Sequence, residues 1–312
     1  MNLRDRYLPY KHLIAEVLAD KNPIVRTVIN KVDDVGTENA FRTFGYEVLY
    51  GPDEMNVEHR EQGCTFKFDF AKVYWNTRLQ TEHERLCSLF SEGEAVCDVM
   101  AGVGPFTIPA GKKRCFVWAN DLNPESYKSL VDNVRINKVG EYVRPHNTDG
   151  AAFIRQATTD LLKTELSVPV FAKSKSHRGD QADREPEKVL VQPRTFAHYV
   201  MNLPASATTF LPAFIGLYSN VPGMPADEIK KLFAPHTERK LPMVHVHCFS
   251  TKSDDNVEET KKICEELSHQ LKFEITPDTP ELLIYDVRDV APKKRMFCAS
   301  FRLPEEVAFR QV

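Results

Sequence analysis

Apolar and polar positions change period several times along the chain, and each change marks an element. Residues 11 to 32 begin with a helical spacing (Leu13, Ile14, Val17, Leu18) and pass through Pro23 into the strand-like run Ile24 to Ile29. Short extended segments then prevail to about residue 75: Glu47 to Tyr50, a turn at Gly51-Pro52-Asp53, and the alternating Cys64 to Phe70. They predict a small antiparallel sheet. Thr81 to Leu86 opens a helix, with Thr81 as N-cap and Glu84 as its capping-box partner. Beyond it, strand and helix alternate. Val96 to Met100, Cys115 to Ala119, Val143 to Asn147 and Phe196 to Met201 read as strands, Met243 to Phe249 as a fifth and Arg295 to Phe301 as a last, with helical periods near 130 to 137 and 255 to 271. This alternation predicts an α/β, Rossmann-like fold with a mainly parallel sheet. Residues 171 to 188 are polar, mixed in charge and without period, as expected of a flexible surface insertion. The expected division is a small α+β domain over residues 1–77 and the Rossmann-like domain over 78–312.

Composition narrows the class. A chain of 312 residues with 42% apolar content can bury a substantial core. Seven cysteines lie scattered without a Cys-x-x-Cys pair, which argues against zinc sites or a disulfide framework and for a reducing compartment. No apolar run approaches the roughly 20 residues that span a bilayer, and the start lacks a signal-peptide apolar region, so neither membrane insertion nor secretion is expected. A formal net charge of -3 does not advertise a nucleic-acid partner; any RNA binding must come from local patches.

Three successive strand ends carry the candidate chemistry. Asp98 precedes the turn Met100-Ala101-Gly102-Val103-Gly104, Asp121-Leu122 follows the second strand, and Asp149-Gly150 follows the third, where ligands bind in an open α/β sheet. Each aspartate alone is better explained by a helix N-cap or an Asx turn; three in register outline a cofactor pocket. Gly102 and Gly104 permit a tight turn, and an acidic residue past the second strand suits ribose hydroxyls. Ala-Gly-x-Gly is not the dinucleotide fingerprint, and Pro105-Phe106 stand where a pyrophosphate would need free helix N–H groups. S-adenosylmethionine, which has an adenosine and no phosphate, fits better.

Further groups are open to two readings. Asn202-Leu203-Pro204 ends the fourth strand, either as a terminator or as an edge that holds a planar base. Arg78 to Arg85 packs cations and carboxylates into one helix start, where solvated i,i+3 pairs are the plain explanation. Arg42 sits among aromatics, to stack on them or to fix a carbonyl oxygen. Lys293-Lys294-Arg295 is either a surface charge run or a grip on phosphate oxygens.

Together, Arg78-Leu79-x-Thr81-Glu82-His83-x-Arg85, Asp98-x-Met100-Ala101-Gly102-Val103-Gly104-Pro105-Phe106, Asn120-Asp121-Leu122-Asn123-Pro124, Asn202-Leu203-Pro204 and Pro292-Lys293-Lys294-x-Met296-Phe297-Cys298 resemble the eukaryotic and archaeal tRNA (guanine-N1)-methyltransferases that modify position 37 beside the anticodon. The resemblance runs over nearly the whole chain. It implies an S-adenosylmethionine-dependent methyltransferase domain behind a small α/β domain. A further N-terminal domain that contacts the tRNA corner in that family is expected to be absent here. By the same resemblance Glu82 is the base that takes the N1 proton, Arg42 holds O6, and Asn202 and Pro204 orient the guanine. His83, Asp98, Gly102, Gly104, Asp121, Leu122, Asp149, Gly150 and Asn202 form the cofactor site, and Arg78, Lys293, Lys294 and Arg295 lie near the anticodon stem-loop. A monomer is expected, no metal is required, and the cytoplasm, nucleus and mitochondrial matrix are all compatible locations. Two alternatives stay open: the related transferase that moves the aminocarboxypropyl group of the same cofactor onto a tricyclic base, and a non-catalytic RNA-binding subunit.

Overall fold

The computed structural model describes residues 1–32, 41, 43–171, 185–219 and 221–311. Its centre is a seven-stranded sheet whose inner strands, β5 (Ala95–Asp98), β6 (Phe116–Asn120) and β10 (His198–Met201), are buried along their whole length. Burial on both faces is what makes these strands read as continuous apolar runs. The spatial order is β12-β13-β11-β10-β5-β6-β7, with β7 at Val143–His146, β11 at Met243–Ser250, β12 at Leu283–Ala291 and β13 at Lys294–Arg302. From β7 to β11 all pairs are parallel, and β13 runs antiparallel to both of its neighbours. The chain therefore lays β6 and β7 on one side of β5, and β10 and β11 on the other. Connections leave the carboxyl ends in opposite directions, opening a crevice there.

Helices α3 (Thr107–Lys112), α4 (Pro124–Ile136), α5 (Gly150–Lys163) and α7 (Val257–Leu271) connect or flank these strands. The largest core joins α5 and α7 to one face of the sheet, and a second core fills the other face. The N-terminal part contains α1 (Lys11–Lys21) packed on a two-stranded sheet, β1 (Val28–Lys31) with β2 (Tyr46–Tyr50), around a minor core of Ala15, Val28 and Leu49. The apolar spacing expected to bury Leu13, Val17 and Leu18 faces outward instead; Ala15 and Ala19 supply the packed face, because small side chains let the helix lie close on the sheet.

A hairpin of β3 (Asn56–Glu61) and β4 (Cys64–Asp69) turns at Gln62-Gly63, both with positive φ as a two-residue hairpin turn requires. Cys64, Phe66 and Phe68 alternate inward and belong to the same core as Leu86, Val96 and Leu130. The outer edge of β4 is completed by helix α4. Asn133 Oδ1 accepts from Lys67 N at 2.8 Å, and Asn137 both accepts from Thr65 N (2.9 Å) and donates to Thr65 O (2.7 Å), so two carboxamides act as a third strand. Asn133 also donates to Val103 O at 3.0 Å and is fully buried.

Several elements depart from the expectations. Thr81 is not a cap: α2 (Gln80–Leu89) continues a 3₁₀ turn, Thr77–Leu79, whose Arg78 N is capped by Asn76. Strand β12, hairpin strands β8 (Ser167–Val170) and β9 (Lys188–Val191), and helix α5 are additional. Most of the expected 171–188 insertion lies outside the described residues; Lys188 starts β9.

Substituting Asn133→Ala should cost about 2–4 kcal/mol, because it leaves a partly buried N–H and a buried carbonyl unpaired. Urea unfolding of the two proteins measures the difference; a cost below about 0.5 kcal/mol would show the amide link to be dispensable.

Candidate functional site

Asn120 fixes the floor of the crevice. Its Nδ2 donates to Val99 O (3.1 Å) and Thr148 O (3.0 Å), its Oδ1 accepts from Thr148 N (2.9 Å), and its own carbonyl accepts from Ala101 N (2.7 Å). One buried carboxamide thus ties together the ends of β5, β6 and β7. Next along the chain, Asp121 Oδ2 accepts from Gly102 N at 2.8 Å and Oδ1 from Asn123 N at 2.9 Å, which locks the glycine turn to the second strand end. Burial raises the Asp121 carboxyl although these amides oppose it.

Above this floor lies a cleft of about 980 Å³, open mouth included, lined among others by His83, Met100, Ala101, Gly102, Val103, Pro105, Phe106, Asp121, Leu122, Asp149, Gly150 and Asn202. Seven of the nine expected cofactor residues therefore face it. Asp149 Oδ1 caps α5 through Ala151 N and Ala152 N, both at 3.0 Å, so the cap and the cleft wall are one residue. A Cβ on Gly150 would come within 3.1 Å of Phe210 and 3.3 Å of Val99, a close approach that favours glycine. His83 is held by Glu61 Oε1 at 2.7 Å and packs its ring against Phe106.

Two expected cofactor residues do not reach the cleft. Asp98 is turned into the core, where Thr107 Oγ1 donates to its Oδ2 at 2.6 Å and its Oδ1 has no partner among the described residues. Burial pushes its carboxyl up to about 7 against the Thr107 hydrogen bond. Gly104 serves the turn rather than a ligand: its φ is +100°, and a Cβ would meet Leu130 at 2.8 Å and Ile108 at 2.9 Å.

A second, smaller pocket adjoins the cleft. It shares Tyr74, Asn76, Leu79 and Asn202 with it and adds Pro204, Phe249, Arg288, Val290 and Met296. Asn202 Oδ1 is buried at this junction with no partner among the described residues. A buried acceptor left unpaired costs about 1–3 kcal/mol, which a donor brought to it would offset.

Glu82, expected as a free base, lines neither space. It is 3% exposed, and its oxygens are taken by Arg85 Nε (2.6 Å), Arg85 Nη2 (2.8 Å) and His247 Nε2 (2.8 Å). Burial alone would raise its carboxyl, but hydrogen bonds from Arg85 and His247 outweigh it and hold it at about 2. For His247 burial works the other way, and Cys298 and Glu82 beside it hold the imidazole well above its ordinary value. Glu82, His247 and Cys298 bring ligand atoms within 4.8 Å of one another, a set that could hold a metal were the carboxylate not already clamped by Arg85.

The expected RNA contacts divide. Arg78 and Lys293 are exposed, and Lys294 Nζ sits 4.1 Å from the centre of the Phe249 ring. Arg295 is already paired: Asp286 and Asp289 each approach it at 2.9 Å, and Asn256 accepts from it at 2.7 Å. Arg42 lies outside the described residues; its neighbour Phe41 lines the cleft. Sequence reasoning gave Asn120 no role of its own and missed Glu61, Trp75, Phe210 and Arg288. Trp75, just ahead of the Arg78 to Arg85 segment, carried the one local signal, an aromatic before a charged helix start.

Comparison with known proteins agrees with this geometry. A family described as the TRM5/TYW2 methyltransferase domain matches residues 57–169, and one described as the TYW2 N-terminal domain matches residues 1–54. The tRNA (guanine(37)-N(1))-methyltransferase of Phaeosphaeria nodorum is 68% identical over 314 residues, covering 100% of this chain and 67% of its own. That of Ajellomyces capsulatus is 54% identical, covering 99% and 65%. The chain thus spans about two thirds of the length of these relatives. Among solved structures, Trm5b from Pyrococcus abyssi matches with a TM-score of 0.63 at 24% identity, over 97% of this chain and 71% of that one, which shows the same fold.

A carboxyl that holds its proton more tightly when folded stabilises the fold below its unfolded value of about 4 and loses that stabilisation as pH rises through 7. Asp98 should therefore make the wild type less stable at pH 7.5 than at pH 5, by on the order of 1–4 kcal/mol. Asp98→Asn should remove most of this slope. Urea midpoints across that range test it, and equal slopes in the two proteins would assign the pH dependence elsewhere.

Proposed function

The chain belongs to the tRNA (guanine(37)-N1)-methyltransferase family, and on that premise we propose that it transfers a methyl group from S-adenosylmethionine to N1 of the guanosine at position 37 of tRNA. The observation that carries this reading is Asn202 Oδ1, an unpaired buried acceptor where the cleft meets the second pocket. It offers a partner to the N1–H or N2 amino group of a base flipped into the pocket.

The cleft suits the cofactor. Asp121 and Asp149 give acceptors for ribose hydroxyls and amino groups, Leu122 an apolar wall, and Pro105 removes an N–H that a phosphate would use. Two carboxylates repel a pyrophosphate and attract a cation. S-adenosylmethionine supplies an activated methyl group on a sulfonium. His83, Gly102, Asp121, Leu122, Asp149, Gly150 and Asn202 are the proposed binding residues.

Guanine N1 carries a proton and is a poor nucleophile until that proton leaves. Glu82 remains the proposed acceptor, under two conditions the geometry adds: Arg85 must release one carboxylate oxygen, since in the present pairing the group is too weak a base, and the freed carboxylate must come within hydrogen-bond reach of a pocket it does not now line. Arg42 is proposed to hold O6, and Pro204 to limit how the base sits. Arg78, Lys293 and Lys294 are the proposed contacts to the anticodon stem-loop, with Arg295 withdrawn from that role. Residues 1–77 and 78–312 are proposed as two domains, acting as a monomer in a compartment that holds tRNA: cytoplasm, nucleus or mitochondrial matrix. No helix among the described residues is long and apolar enough to cross a membrane.

Incubation with S-adenosylmethionine and tRNA transcripts carrying guanosine or adenosine at position 37, followed by nucleoside mass analysis, should give one added methyl on the guanosine transcript alone. An aminocarboxypropyl adduct, or RNA binding without product, would replace this reading. Glu82→Gln should lower the single-turnover rate at least about 100-fold while calorimetric affinity for S-adenosylmethionine stays within about threefold. An unchanged rate would remove Glu82 as the proton acceptor.

A further inference from the structure

Among the described residues, the second pocket is lined by one cation whose terminal amino groups the fold leaves uncommitted. Arg288 lies on β12, where pairing with β13 slips: Asp286 faces Phe297 and Arg288 faces Met296, so Val287 is an extra residue in the ladder. A bulge of this kind bends the strand and re-aims the side chains next to it. Arg288 thereby lines the pocket with Asn202, Pro204, Phe249 and Met296. Only its Nε is used, donating to Asp289 O at 3.1 Å, and among the described residues its two terminal amino groups meet no acceptor. Arg295, a short way along the same hairpin, is by contrast held by three side chains.

We propose that Arg288 is a specificity-determining residue whose terminal amino groups form a fork on O6 and N7 of the flipped purine. The inference rests on the function proposed above. Asn202 belongs to both the cleft and the pocket, whereas Arg288 belongs to the pocket alone. A guanine placed with its N1 and N2 edge at Asn202 and its O6 and N7 edge at Arg288 would give both residues a partner. Guanine presents two acceptors on that edge, which a planar guanidinium matches in one plane. Adenine presents N7 and an amino group, and the amino group sets donor against donor. The fork thus rejects adenine without any contact to N1. Hypoxanthine keeps both acceptors and passes this test.

The experiment is single-turnover methylation of transcripts with guanosine or 7-deazaguanosine at position 37, by wild type, Arg288→Gln and Arg288→Lys, with cofactor calorimetry and thermal unfolding on each protein. Arg288→Gln should be slower on guanosine by about 10- to 100-fold with cofactor affinity and unfolding temperature unchanged, and Arg288→Lys should fall between. Removing N7 should slow the wild type by about tenfold and slow Arg288→Gln no further, because the variant never had that contact. An equal 7-deaza penalty in both proteins, or wild-type rates in Arg288→Gln, overturns the fork. A wild type that puts no methyl on the guanosine transcript overturns the activity itself, an outcome distinct from either.

Discussion

The Asn120 carboxamide is the interaction on which the site depends. Strand ends at the carboxyl edge of a parallel sheet have backbone groups with no ladder partner, and loops leaving in different directions pull them apart. Asn120 satisfies three such groups from two neighbouring strand ends with a single side chain, while its backbone carbonyl anchors the residue before Gly102. Asp121 then holds the Gly102 amide. The cleft wall is a short relay of hydrogen bonds running from the sheet interior to the surface, and no flexible side chain is needed to shape it.

Charge is arranged with equal economy. The described carboxylates that face the cleft are Asp121 and Asp149, while Asp98, turned into the core, has its carboxyl pushed up by burial. Outside both pockets, Glu82 is buried between Arg85 and His247, a cluster of interdependent charged and polar groups. Such a cluster is costly to desolvate and holds together only while every member is paired. Freeing Glu82 would disturb it, which ties the proposed proton transfer to a small rearrangement of α2 against β11.

The parallel sheet was readable in the sequence because its central strands are buried on both faces and cannot hide among polar residues. Strand β3 escaped notice for the opposite reason. Asn56–Glu61 is nearly all polar, since it pairs only with β4 and exposes most of its residues. Edge strand β12 mixes apolar and charged positions and contains bulges, which break the alternation a reader looks for. At the site, glycines and aspartates at strand ends are local signals and were legible. Phe210 and Arg288 are brought in by tertiary packing, and nothing in their own neighbourhoods announces it. Arg295 shows the converse error: the sequence displays three cations in a row, but the acids that neutralise one of them lie across the hairpin.

The seam between the β3–β4 hairpin and α4 is made of neutral carboxamides. Dissolved ions screen charges and compete for phosphate contacts, but they barely weaken hydrogen bonds between uncharged groups. The proposed grip on RNA and the cohesion of the protein would therefore answer to different properties of the solution. A salt concentration that strips a bound polyanion from the lysines would leave the hairpin seated on its helix, and the cleft beside it intact for the next encounter.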